Sequence, residues 1–503
     1  MNSSNANMQS QAQAQDLALS KKQAKSSLNI IITGVLSQFV YYLALCGILL
    51  QEQHIAIALY GSNYMVNSVK ILPIIFVVIY DMPDFYESYY ASVKFFAAER
   101  SESVTDILRT ELFSNIVVTC LMLILPIMQS FIFSKLLVDA SYKYMYLLAL
   151  CFGLIEPFYA SAYSSFTYKH LKVNVFTGKI MSLLIYFFMF TFSYSYQSRT
   201  TTNPWPSGLS KPFADVFIYV LVIIAIVKNS LFGTKLNILD NNFMKKMYKF
   251  VKTDTKLILR DLFSFINYLV YNASRPIVIL CIIYQLTKIT DEDKRNDAML
   301  DVYIYFISQF AIALIGKGMH QGLLMVAPQL FEQKKFTQLR NLFLQTIVYG
   351  VVAAELIAII LKISPDKIVE LIIPKSNDTL KEYFQDTCYI DILGYALIYA
   401  TESAQLAIYS FAIVTTRYYL MGVIGLLRII IGVFLVVKLE SYLGQNADYT
   451  QVFFYFEIIC AIIGGIFMLY VFLSFFTEFR EVKIGKKGKE KKVRVDDSFM
   501  SQV

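Results

Sequence analysis

Apolar stretches of about 20 residues, the length that crosses the hydrocarbon core of a bilayer, recur along the whole 503-residue chain. They fall at 29–50, 57–80, 111–133, 144–165, 173–196 and 214–232, and after a polar gap at 261–285, 300–327, 341–362, 387–412, 418–438 and 451–476. Each run is continuously apolar and not alternating, so helices are expected instead of a barrel. Composition agrees, with only 16% charged residues against roughly 25% in a soluble chain. The expected fold class is all-α: a polytopic membrane protein with 12 transmembrane helices in two pseudo-symmetric six-helix lobes.

Basic residues orient the spans. Arg480 to Arg494 holds eight Lys or Arg, and Lys235, Lys245, Lys246, Lys249, Lys252 and Lys256 fill the central gap. Lys334, Lys335 and Arg340 follow the eighth span. All lie on one side of a twelve-span chain, whereas the loop 51–56 has no basic residue and 197–213 has only Arg199 and Lys211. Both termini are therefore expected in the cytoplasm; the destination membrane is unspecified. Because the charge is concentrated in one tail and a few loops, it argues for topology and contact with membrane lipids, and no nucleic-acid partner is expected.

Span spacing repeats at an offset near 230–245 residues, and each half holds an even number of spans, as in a parallel repeat. The expected organisation is a disordered cytoplasmic tail at 1–28 and an N-lobe at 29–232. A cytoplasmic linker at 233–260, a C-lobe at 261–476 and a basic cytoplasmic tail at 477–503 follow. A long polar connection follows the second span of each half. The first begins Asp81-Met-Pro-Asp-Phe-Tyr, and the second runs Phe331 to Arg340.

Ionisable residues within spans cost about 2.5–3.5 kcal/mol on insertion scales and face protein or water by default. The first lobe carries Lys70, Glu156 and Lys179; the second carries Arg275, Lys317, His320, Glu355, Asp391, Glu402, Arg428 and Glu457. Arg275 precedes Pro276, which removes a backbone donor. It reads either as a cavity wall or anion-binding position, or as a structural partner of Glu402 or Asp391. Lys317 and His320 share a helix face, and His320 serves either as a proton carrier or as a packing residue. Gly318 and Gly322 form a small-xxx-small pair that admits a neighbouring backbone. Asp391 and Glu402 face nearly the same way, able to bind a cation or to neutralise Arg275 and Arg428. Glu156 is followed by Pro157. The six cysteines lack metal-ligand spacing and read as small core residues; no metal site and no cofactor is expected.

The stretch Ile315 to Arg340, the segment Asp391 to Tyr409, and Arg417 with Gly422 and Gly425 resemble the multidrug and toxic-compound extrusion (MATE) family. This family belongs to the multidrug/oligosaccharidyl-lipid/polysaccharide exporter superfamily. The resemblance spans roughly 29–476 and is one of layout. It implies no enzyme but an alternating-access exporter that moves a small organic solute, coupled to a proton or sodium ion, through a cavity between the lobes. Arg275, Lys317, His320, Asp391 and Glu402 would line that cavity, with Glu156 and Lys70 opposite. Family members that export organic cations usually carry acids in spans one, seven and ten. Here span one offers Gln38 and no acid, span seven offers Arg275, and only span ten matches. The basic residues suit an anionic or phosphate-bearing substrate better, which makes a flippase for a lipid-linked substrate the close alternative. A transport-inactive scaffold subunit is a third reading. Asp291-Glu-Asp293 reads as solvated surface. With no GxxxxGK[ST] sequence present, ATP-driven transport by this chain is not expected.

Overall fold

Lipid offers the backbone no hydrogen-bond partners, so each segment must satisfy its own. In the computed structural model the described elements are all helices. The structure describes residues 38–86, 104–170, 172–200, 203–227, 255–324, 326–332, 334–363, 373–374, 405–415, 417–443 and 449–477.

The first pair of helices departs from the expected spans. Helical backbone runs from Gln38 to Ser68, through the expected loop at 51–56. It is nonetheless not one rod. A straight helix would separate Gln53 and Tyr64 by about 16 Å along its axis, yet the Tyr64 hydroxyl donates to Gln53 Oε1 at 2.9 Å. The chain turns back at Gly61, whose φ of 63° belongs to the left-handed region that glycine enters freely. We label residues 38–60 α1 and residues 62–86 α2. A turn at 69–71 interrupts α2, and a π-helical segment, Val77–Asp81, follows.

The other helices follow the hydropathy pattern. α3 (Val104–Met122) continues through short turns to Lys135 with a 47° bend. α4 (Lys143–His170), α5 (Lys172–Thr200) and α6 (Pro206–Val227) complete the first half. The second half holds α7 (Thr255–Leu286), α8 (Glu292–Leu324), α9 (Phe336–Ile363), α10 (Gln405–Val414), α11 (Tyr419–Leu443) and α12 (Tyr449–Thr477). Among the described residues, six helices are long and apolar enough to cross a membrane, or seven if the bent α3 counts as one span.

Packing is inside-out relative to a soluble protein. Along α12, Ile462, Ile466, Leu469 and Leu473 form an outward stripe, each more than half exposed. Buried within the bundle are Glu52, Glu156, Asp215, Arg275, Lys317, Arg428 and Glu457. Such an apolar exterior around a charged interior is stable only in lipid, and the chain is a polytopic membrane protein.

Glycines set the closest helix approaches. A Cβ on Gly425 of α11 would lie 2.6 Å from the Tyr271 backbone of α7. One on Gly318 of α8 would lie 3.1 Å from Phe39 Cα on α1. The latter is the close approach expected of the small-residue pair, and it joins the two halves.

Candidate functional site

Two partly open cavities lie where charged side chains converge. The larger sits among α2, α7, α8, α10 and α11. Its polar lining includes Asp81, Tyr271, Arg275, Gln309, Lys317 and Arg428, beside Phe76, Phe306 and Phe310. The smaller belongs to the first half and is lined by Asp84, Glu156, Lys179, Lys211 and Asp215 among tyrosines.

In the larger cavity Arg275 is held in a fork. Its Nε donates to Glu457 Oε1 at 2.9 Å and its Nη2 to Glu457 Oε2 at 2.7 Å. Tyr305 donates to the same carboxylate at 2.6 Å. Among the described residues the structural partner of Arg275 is Glu457 of α12. Asp391 and Glu402 lie outside the described residues. Helix α7 continues through Pro276.

Lys317 joins the halves. Its ammonium pairs with Asp81 and lies 3.3 Å from Asp84 Oδ2. Asp84 also accepts from the Tyr42 hydroxyl at 2.7 Å. The sequence placed both acids in a polar connection after the second span. Instead, residues 81–86 remain helical, and the π-helical segment before them carries Asp81 into the interior. π-helical insertions often sit at functional positions.

His320, one turn beyond Lys317, faces a different neighbourhood. Its Nδ1 hydrogen-bonds with the Ser410 hydroxyl, and its ring packs 4.2 Å from that of Tyr409. Lys70 lines neither cavity: its Nζ donates to the Leu137 carbonyl at 2.7 Å and to Asn67 Oδ1 at 3.4 Å. Glu156 lies in the smaller cavity, 3.6 Å from Lys211, which also pairs with Asp215; Ser182 donates to Asp215. Lys211, expected in a loop, is a buried residue of α6. Thus the structure brings Arg275 and Lys317 together in the larger cavity, sets Glu156 in the smaller one, and places His320 and Lys70 in the lining of neither.

Two further residues belong to this interior: Glu52, which hydropathy placed in a loop, and Arg428, which the sequence marked as a charge within a span but not as a cavity residue. With the turn at Gly61, Glu52 lies on the first span, so that span does carry an acid. Glu52 is 2% exposed, accepts from the Tyr186 hydroxyl, and has no partner for Oε1 among the described residues. Arg428 is also 2% exposed, with its guanidinium 4.7 Å from the Tyr271 ring centroid. The signal for Glu52 was its neighbours: Gln51-Glu52-Gln53-His54 reads as a loop by hydropathy, yet it precedes a glycine able to make the turn.

The halves also meet beyond Lys317. Tyr303 of α8 donates to Gln53 Oε1 at 2.9 Å, and its ring stands edge-on to Tyr64, 6.4 Å between centroids. The Tyr64 oxygen also lies within hydrogen-bonding distance of Ser207 Oγ at 2.9 Å, a contact in which the serine hydroxyl can donate, and Tyr60 donates to Gln197 at 2.6 Å. Along α8, Tyr303 and Lys317 are fourteen residues apart, roughly 21 Å. The cavity residues Phe306, Gln309, Phe310 and Ala313 fall between them.

The fold is similar to that of solved MATE transporters. The Vibrio cholerae MATE transporter VcmN is similar, at TM-score 0.61 and 13% identity, over 90% of this chain and 99% of that one. The eukaryotic MATE transporter AtDTX14 is similar at TM-score 0.54 and 11% identity, over 89% and 96%. A MOP superfamily transporter from Pyrococcus furiosus is similar at TM-score 0.66 and 8% identity, over 88% and 95%; its structure was described under the words "reverse polarity of binding pocket suggests different function". No family model and no curated protein matches the chain in sequence. At such identities the likeness establishes the fold.

Proposed function

We propose that this protein is an alternating-access secondary transporter that moves a small organic solute across a membrane, driven by a proton or sodium gradient. The observation that carries the reading is the pair of contacts between the halves on either side of the larger cavity. Lys317 with Asp81 and Asp84 joins the halves at one end of α8; Tyr303 with Gln53 and Tyr64 joins them further along the same helix, beyond the cavity residues. Contacts between opposite halves on either side of a cavity are what alternating access requires, because either clamp can open by rocking one lobe against the other.

Both termini face the cytoplasm in this proposal, which puts the Lys317 clamp on the cytoplasmic side. Glu52 is the candidate coupling residue. It is a buried acid beside tyrosines, and such a group needs a companion ion or proton to remain in a protein interior. Asp391 and Glu402 stay in the proposed set as acids of the second half. His320, packed against Tyr409 and Ser410, supports a structural role better than a proton-carrying one.

Flux in proteoliposomes tests the reading. Purified protein should move an organic solute under an imposed pH or sodium gradient, and dissipating the gradient should stop it. Absence of gradient-driven movement across a panel of cationic, neutral and anionic solutes would instead support a transport-inactive scaffold.

A further inference from the structure

Arg275 and Arg428 line the same cavity, yet their guanidinium groups are satisfied differently. The Nε and Nη2 edge of Arg275 holds Glu457 in a two-bond fork. The same two nitrogens of Arg428 have no hydrogen-bond partner among the described residues. A guanidinium stays charged at any physiological pH, and burying it without an anion is costly. The nearby acids are already engaged: Asp81 and Asp84 by Lys317, and Glu457 by Arg275 and Tyr305.

Placement of the side chain is fixed from two directions. Gly425, three residues earlier and on the same helix face, brings α11 against the Tyr271 backbone. The guanidinium lies over the Tyr271 ring, 4.7 Å from its centroid, a cation–π contact that leaves Nε and Nη2 without a hydrogen bond among the described residues. Phe76 and Phe310, with ring centroids 4.4 Å apart, supply an apolar wall in the same cavity.

We propose that Arg428 anchors an organic anion in the larger cavity, its Nε and Nη2 forking a carboxylate or phosphate group while the apolar body packs on the phenylalanines. This names the substrate class for the transporter reading and rests on that reading only for the anion's role as cargo. The anionic group could belong to a free solute or to a lipid headgroup.

Equilibrium binding of radiolabelled phenyl phosphate to the purified full chain, in nanodiscs of neutral lipid, tests it without requiring flux. Saturable binding should weaken about tenfold or more in Arg428→Gln. Arg428→Lys, which keeps the charge but loses the fork, should fall between. Tetraphenylphosphonium binding should show no such dependence, and a matched circular dichroism spectrum and monodisperse elution establish that each variant folds. Competition by phosphatidic acid points to a headgroup, and binding without that competition points to a free solute. The proposal is overturned if the wild type binds neither phenyl phosphate nor phosphatidic acid, or if folded Arg428→Gln and Arg428→Lys both bind like the wild type. It is equally overturned if binding emerges only in Asp391→Asn or Glu402→Gln, because Arg428 would then be the partner of an acid on the tenth span. Intact binding without flux would count against the transporter reading alone.

Discussion

At Arg275 and Glu457 two charges are removed from water and given to each other with near-ideal geometry. Tyr305 adds a hydrogen bond to the same carboxylate. Breaking such a pair leaves an uncompensated charge, which costs about 3–5 kcal/mol, whereas apolar replacement of both partners is often neutral. Glu457→Gln should therefore lower thermal stability in detergent sharply, and Arg275→Met with Glu457→Leu should recover most of the loss. Equal destabilisation in the single and double variants would show that the pair does not act as a unit. Glu52 makes the opposite case. Its carboxylate accepts one tyrosine hydroxyl, and no cation is paired with it among the described residues. Glu52→Gln should keep the fold while reducing gradient-driven flux tenfold or more in proteoliposomes, and unchanged flux would remove it from the coupling role.

Helix pairs carry the next level. Because the Tyr271 backbone would lie 2.6 Å from any Cβ at position 425, α7 and α11 must separate to admit a side chain. Gly425→Val should cost about 1–3 kcal/mol through overpacking and disturb the Arg428 site. Gly465→Ala, where nothing lies within 4 Å, should stay within about 1 kcal/mol of the wild type; thermal unfolding of both checks the contrast. The same scale shows what could be read from the chain beforehand. Lipid demands long apolar helices, so the hydropathy pattern marked most elements within a few residues. It failed at Gln51–His54 and Asp81–Tyr86, where polar residues resemble loops, yet Glu52, Gln53 and Asp81 are buried, with hydrogen bonds from tyrosines to the first two and from Lys317 to the third. Lys211 was misplaced for the same reason. Charge partners were less legible: Arg275 and Glu457 are 182 residues apart, and nothing local to either announces the other. The proximity of Arg275 and Lys317 followed from the expected cavity, while Arg428, legible as a charge within a span, was placed in that cavity only by the α7–α11 contact.

For the whole molecule, the two clamps on α8 are the central feature. Each joins a helix of one half to helices of the other, and the larger cavity lies between them. The proposed mechanism requires that the clamps not open together, since simultaneous opening would let the driving gradient leak. Topology also belongs to this scale: reporter fusions at either terminus should read cytoplasmic if the basic tail and loops set orientation.

The most direct test is crosslinking across each clamp, in a background from which the native cysteines have been removed and flux is retained. A short, cleavable thiol crosslinker would join Asp81→Cys to Lys317→Cys, or Gln53→Cys to Tyr303→Cys, with each uncrosslinked pair first shown to transport. Locking either end should abolish gradient-driven flux, and cleaving the linker should restore it. Flux that persists with one end locked would contradict alternating access and require a different route through the protein.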